Sequence, residues 1–299
     1  MKKLSKYLHP AIISKIGAYS IDPKGIVEGN IAGAHKSPFH GFSVEFAGHR
    51  EYMPGDDPKH IDWNVYYKRD KYFIKQYEAE TNMIAQIFLD ASESMNFKSG
   101  ELSKLDYAAY LAVTLTYLIT NARDSMGMAI FNEKIVEYLP PSNSLQTVYK
   151  MSDILQKMTP VKKTVMSNTM IDFAERIGRR ELVIIISDCL LRPDELHDGL
   201  SRLRYDQHEV VLFHIMDPQE VNFDLEGTIR FKGMEDSGDL KMDARRVRQS
   251  YLKEFAAHRQ KIHEVCEKNQ TEYVAANTAV PVSELLMAYL NSRLTHINR

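Results

Sequence analysis

The chain has 299 residues, of which 44% are hydrophobic, enough for the substantial core of a globular protein. Lys and Arg total 38 against 40 for Asp and Glu, a formal net charge of −2. That balance argues against nucleic acid or an anionic membrane as a default partner, so any charged site must be local.

Only Cys189 and Cys266 occur, far apart in sequence, which argues against a disulfide framework or a structural zinc site and fits a reducing compartment. The first residues, MKKLSKYLHPAIISKIGAYS, begin basic, but Lys, His and Pro break their apolar runs, leaving no signal-peptide core. No stretch approaches the roughly 18 apolar residues that a membrane span needs. The expected location is the cytoplasm, with no membrane span.

Residues 1–82 differ from the rest. No long helical period follows Tyr19, and Gly25, Gly29, Gly33 and Gly41 punctuate a loop-rich extension, expected to wrap over the main domain rather than fold alone. Within it, YMPGDDPKHIDWN is dense in turn chemistry. Pro54-Gly55 suits a tight turn, and Asp57-Pro58 suits an N-cap with proline at the first helical position, giving a short helix from Pro58 to about Lys68. KYFIKQYEAE then reads as extended. Tyr52 and Trp63 are expected to be core anchors pinning this part to the sheet. His35, His40, His49 and His60 lack a tight zinc spacing.

From Met83 to residue 299, strands and helices alternate, which predicts a mostly parallel sheet with helices on both faces. Five of the six residues Ile84 to Leu89 are apolar, a strand covered on both faces. A helix is expected over about 103–122, from Ser103 and Asp106 at capping-box spacing and apolar residues at 108, 111, 112, 115, 118 and 119. MGMAIFN and KIVEYLP read as a hairpin, SLQTVYKMSDILQKM as a helix, and LVIIIS, residues 182–187, as a second buried strand. A helix near 193–205, the strand EVVLFHIM and an irregular excursion over 217–242 with a possible hairpin follow. Ala244, Val247, Tyr251, Phe255, Ile262 and Val265 mark a long amphipathic helix. TEYVAA is the last strand and PVSELLMAYLNSRL the closing helix.

The chemistry gathers where buried strands end. In DASES, Asp90, Ser92 and Ser94 follow the first strand, so one tight loop can aim a carboxylate and two hydroxyls at a common point. These are hard oxygen ligands, suited to Mg²⁺, Mn²⁺ or Ca²⁺. Asp188 closes the second strand as Asp90 closes the first, where open α/β sheets collect ligands. The competing structural reading is that Asp90 and the serines merely cap the next helix. No histidine lies in the same loop and no G-x-S-x-G elbow occurs, which argues against hydrolysis.

The DASES loop, the hairpin after the first helix and the aspartate closing LVIIISD together resemble a von Willebrand factor A domain with a metal-ion-dependent adhesion site. The stretch from GAHKSPFH through KQYEAE resembles the signature of the bacterial domain-of-unknown-function 58 family, whose genes commonly neighbour MoxR-type AAA+ ATPases. The specific pieces are Arg50, Tyr52, Gly55, Asp56 and Asp57 in REYMPGDD and Asp62 and Trp63 in IDW, and the resemblance runs from about Gly25 to the C-terminus.

The resemblance implies an α/β, von Willebrand A-like (Rossmann-like) sheet flanked by helices, with the N-terminal extension packed on it. It implies a metal bound by Ser92, Ser94, Asp90 (directly or through water) and Asp188. A threonine from a second loop joins them. Thr164 holds the position the pattern suggests, and Thr169 is the fallback. Lys162, Lys163 and Cys189 stand where the pattern has glycines.

Two functions remain open. One is a non-enzymatic, metal-dependent adaptor or co-chaperone that docks an acidic residue of a MoxR-type ATPase or its client. The other is a metal-dependent hydrolase in which Asp56, Asp57 and Asp62 approach the metal loop, and distance discriminates between them.

Overall fold

The computed structural model describes residues 6–7, 35–37, 44–53, 61–69, 71–81, 83–158, 166–232 and 239–297. Two sheets divide the N-terminal part from the rest. In the first, β1 (His35–Ser37), β2 (Val44–Glu51) and β3 (Phe73–Thr81) pair antiparallel in the order β1-β3-β2. β3 is the extended segment expected from KYFIKQYEAE; β1 and β2 fall where a loop-rich stretch was expected. Helix α1 (Trp63–Arg69) starts later than Pro58. Ile61 is in a strand bridge, and Asp62, not Asp57, caps the helix by accepting from Asn64 N at 3.0 Å.

The second sheet has six strands in the order β11-β8-β7-β4-β5-β6. They are β4 (Ile84–Asp90), β5 (Ser125–Phe131), β6 (Ile135–Ser142), β7 (Leu182–Ser187), β8 (Glu209–Met216) and β11 (Glu272–Asn277). All neighbours are parallel except β5 and β6, the expected hairpin. A register shift between Met126 and Met128 of β5 falls opposite Pro140 and Pro141 of edge strand β6, since proline cannot donate to a ladder. The excursion contains a real hairpin, β9 (Thr228–Lys232) with β10 (Asp239–Asp243).

Alternate residues of each inner strand enter cores on opposite faces. Ile87, Leu89, Met128, Ile184 and Phe213 pack under α2 (Lys104–Asn121), α3 (Gln146–Lys157) and α8 (Val282–Ile297). Phe88, Phe131, Ile185 and Leu212 pack under α4 (Met166–Arg176), α5 (Pro193–Tyr205) and α7 (Ala244–Lys268). Each such fully buried side chain stabilises the fold by about 1.5–3 kcal/mol before chain entropy is counted. Ser103 caps α2 by accepting from Asp106 N at 3.0 Å, as its spacing predicts. α4 was not expected. It buries Met170, Phe173, Ala174 and Ile177, the last just past its end.

The expected anchors of the N-terminal part are corrected. Trp63 is 54% exposed and meets Tyr66 and Tyr72 edge-on, while half-buried Tyr52 donates its N–H to Tyr72 O. These rings pack on one another beside the small sheet. Among the described residues, Tyr7 reaches the main domain: it is buried edge-on against Tyr110 and donates to Asp106 at 3.0 Å, beside Lys6, which pairs with the same carboxylate at 2.9 Å. Among the described residues no helix is long and apolar enough to cross a membrane.

Candidate metal centre

β4 and β7 are parallel neighbours, and from β4 the chain proceeds to β5 on one side but later returns to β7 on the other. Strand order therefore reverses between them, and the loops leaving their carboxyl ends open a crevice. Asp90 is the last residue of β4; Asp188 follows the last residue of β7.

Leu89 is in register with Ile186, which brings Asp90 beside Ser187, and the Ser187 hydroxyl donates to Asp90 Oδ2 at 2.6 Å. Asp90 Oδ1 accepts from Ser92 N at 2.9 Å, a local turn that sets the loop. The Ser92 and Ser94 hydroxyls then meet each other at 2.9 Å. Ser92 precedes a single 3-10 turn, Glu93–Asn96, without capping it through its side chain, and α2 has its own cap in Ser103. Helix capping therefore does not account for these hydroxyls.

The loop after β7 is held from beneath. Cys189, where the adhesion-site pattern has glycine, takes φ +51, a left-handed conformation that costs a buried non-glycine residue of order 1 kcal/mol or more. Two histidines hold that turn: His214 Nε2 donates to the Asp188 carbonyl and His258 Nε2 to the Cys189 carbonyl, each at 2.9 Å. His214 Nδ1 accepts from the Tyr273 hydroxyl at 2.9 Å. Burial drives His214 down to about 4, so its ring is neutral.

Two residues outside the expected set complete the centre. Lys104, the first residue of α2, is fully buried, and its Nζ donates to Asp188 Oδ2 at 2.8 Å and to Glu220 Oε1 at 2.7 Å. Glu220 lies on the short helix α6 (Pro218–Asn222), where its other oxygen accepts from Asp217 N at 2.9 Å in a capping box. Asp217 accepts from both the backbone N–H and the hydroxyl of Ser99, tying α6 to the segment that follows the serine loop. Burial pulls the Lys104 ammonium down, but the two carboxylates outweigh it and hold it above its usual value. Burial raises Glu220 against the pull of Lys104.

Asp90 is only 3% exposed. Burial and then the nearby Asp188 carboxylate push it up to about 6. Lys104 pairs with Asp188 and Glu220, and Asp90 adds a further carboxylate beside Asp188, so the negative charge exceeds what one ammonium offsets and fits a divalent cation. Among the described residues no three His, Cys, Asp or Glu side chains form a metal cage. A cation here would therefore need the serine hydroxyls as ligands, as the D-x-S-x-S spacing anticipates. Asp90, Ser92, Ser94, Asp188 and Glu220 line one open cleft of about 730 Å³, whose walls include Leu190, Arg192, Tyr251, Phe255 and His258.

The structure brings together Asp90, Ser92, Ser94 and Asp188. Thr164 lies outside the described residues; Thr169 is buried on α4 and does not line the cleft. Gly55, Asp56 and Asp57 also lie outside the described residues. Arg50 is placed by its backbone opposite Ile74 in the small sheet. Asp62 is buried there, bound by His49 Nε2 at 2.8 Å, and does not line the cleft either. Lys104 was legible in principle: it lies four residues before Ala108, on the apolar stripe of α2, where a lysine must find a buried partner. Asp217 and Glu220 show capping-box spacing in DPQE.

The family described as "Protein of unknown function DUF58" matches residues 48–261. An uncharacterized protein of Mycobacterium tuberculosis (strain ATCC 25618 / H37Rv) is 25% identical over 256 residues, covering 84% of this chain and 80% of the relative. Among solved structures, the chain is similar to the conserved hypothetical protein BatB from Bacteroides thetaiotaomicron, with a TM-score of 0.49 and 17% identity, over 72% of this chain and 100% of that one. It is also similar to the SpRpn10 VWA domain, with a TM-score of 0.41 and 11% identity, over 69% of this chain and 94% of that one.

Proposed function

We propose that this chain, which belongs to the DUF58 family, is a non-enzymatic cytoplasmic adaptor that captures a partner protein through a divalent cation held in the β4–β7 crevice. The ion is Mg²⁺, or Mn²⁺ or Ca²⁺ in its place, with Asp90, Ser92, Ser94 and Asp188 as its ligands and Thr164 as the second-loop ligand. The observation that carries this is the convergence of two strand-end loops that bring carboxylate and hydroxyl oxygens to one cleft. Hydroxyl ligands are neutral, so a cation held partly by them keeps its appetite for an acidic side chain from another protein.

The chain's own residues orient the donors. Ser187 and the Ser92 backbone fix both Asp90 oxygens, and His214 and His258 fix the loop carrying Asp188. Beside these donors, Leu190 is 54% exposed on the strained turn, and Tyr251 stacks on Phe255 across the cleft wall with ring centroids 5.8 Å apart. An acidic residue with a bulky apolar neighbour suits this combination. The Ser92 hydroxyl meets Ser94 rather than an imidazole, and the cleft histidine His258 is engaged with the Cys189 carbonyl, so neither forms a nucleophile–base pair. Asp62, the described member of the acidic turn, is bound in the small sheet, which gives no support to a hydrolase built on that turn.

The ATPase assignment rests on the resemblance carried by Arg50, Tyr52, Gly55, Asp56, Asp57, Asp62 and Trp63. The test is capture of a MoxR-type AAA+ ATPase by the full chain in Mg²⁺ and in chelator. Capture that is lost in chelator and in the Ser92→Ala, Ser94→Ala double variant is expected. Capture indifferent to both would place the interface elsewhere.

A further inference from the structure

We propose that Lys104 is a tethered cation of the acidic centre, whose ammonium takes up part of the charge that a divalent ion would otherwise neutralise and so sets how tightly that ion is held. The inference rests on the metal reading above and extends it to a residue outside both strand-end loops. A lysine at a helix start ordinarily carries its ammonium out to water. Lys104 is instead completely buried, because Asp188 and Glu220 receive it at 2.8 and 2.7 Å.

Both acceptors are held in place independently of the lysine. Glu220 is fixed by the Asp217 N–H, Asp217 is bound in turn by Ser99, and the other Asp188 oxygen accepts from Leu190 N at 3.3 Å. The ammonium thus occupies a prepared position beside a proposed metal ligand and withdraws one of that ligand's oxygens. It also holds a positive charge against the carboxylate that a second cation must share, and between buried groups that repulsion is little screened. The same ammonium lets the centre stay folded without a divalent ion, because it supplies counter-charge to the buried Asp188 and the partly buried Glu220.

The test compares the full chain with Lys104→Met and Lys104→Arg, reading Mg²⁺ affinity by calorimetry and melting temperature in chelator and in Mg²⁺. Lys104→Met should bind Mg²⁺ at least about tenfold more tightly than the native chain. It should also melt lower in chelator, with much of the loss restored by Mg²⁺, whereas Lys104→Arg should stay within about threefold of the native affinity. Unchanged or weaker Mg²⁺ binding by Lys104→Met overturns the proposal, even where Asp90→Ala shows the native chain to bind the ion. If the native chain binds no Mg²⁺ while Lys104→Met does, the proposed native metal function fails but the role of Lys104 stands. If neither binds, both fail. Should Lys104→Met not fold, the pair Glu220→Gln and Glu220→Gln with Lys104→Met isolates the ammonium on a background with one fewer carboxylate beside it. The double variant must again bind Mg²⁺ more tightly, and equal affinity overturns the proposal.

Discussion

Lys104 Nζ and Asp188 Oδ2 lie 2.8 Å apart with their side chains 0% and 3% exposed, a buried ion pair joining the start of α2 to the end of β7. Removing one partner of such a pair leaves the other charge stranded, at about 3–5 kcal/mol, whereas removing both costs much less. In chelator, Asp188→Asn should therefore destabilise the chain by about that amount, eased only in part by the remaining Glu220 contact. Adding Lys104→Met should recover a measurable share in urea melts. Strictly additive losses would mean that the pair contributes no coupling.

Asp90 offers a second handle. Mg²⁺ at about a hundredfold its dissociation constant should stabilise the native chain by about 2.7 kcal/mol if it binds the folded state alone. Thermal melts of Asp90→Ala should show no such increment, and a full response would remove Asp90 from the ligand set.

His214 carries a pH prediction whose sign is fixed by its neutral folded state. Its folded value of about 4 lies below its unfolded value of 6.5. The unfolded chain therefore binds a proton between these values that the folded chain refuses. Stability from this group is full above 6.5 and falls as pH drops toward 4, by about 3 kcal/mol. Comparing urea melts of the native chain and His214→Gln across this range isolates the effect from Asp90, which shifts the opposite way. Ring resonances of His214 titrating near 6.5 would contradict it.

The cleft wall offers a way to test the proposed partner binding apart from ion binding. Leu190→Ala and Phe255→Ala should each weaken partner capture by about 1–3 kcal/mol, roughly fivefold or more, because apolar groups beside a charged anchor contribute to affinity through desolvation. Neither should change the Mg²⁺-induced rise in melting temperature. Loss of that rise would show that the wall supports the ion site itself.

Much of the main sheet was legible because its signals are local. Buried runs such as Leu182 to Ile186 and the Ser103 cap declare themselves within a few residues, and the aspartates that end β4 and β7 stand out against them. β2 escaped notice because its partner is β3, some thirty positions on by register; such pairing is not written in a window of sequence. α4 shows its 170, 173, 174 and 177 stripe, a helical period in the same stretch that the resemblance makes the source of a threonine ligand. Trp63 meets Tyr66 and Tyr72 instead of the core because an aromatic residue's bulk does not say which surface it covers. Lys104 and Glu220 lie 116 residues apart, and only the fold shows that one needs the other.

The paired prolines of β6 have a further effect on how this protein can be recognised. With Pro140 and Pro141 interrupting that border of the sheet, an incoming chain finds neither a regular row of amide donors nor a straight template to extend. Growth of the sheet by a foreign strand is discouraged there, and so is self-association of the kind that leads to fibres. The proposed capture at the β4–β7 crevice is of a different kind, selecting a partner by what its side chains carry instead of by its backbone.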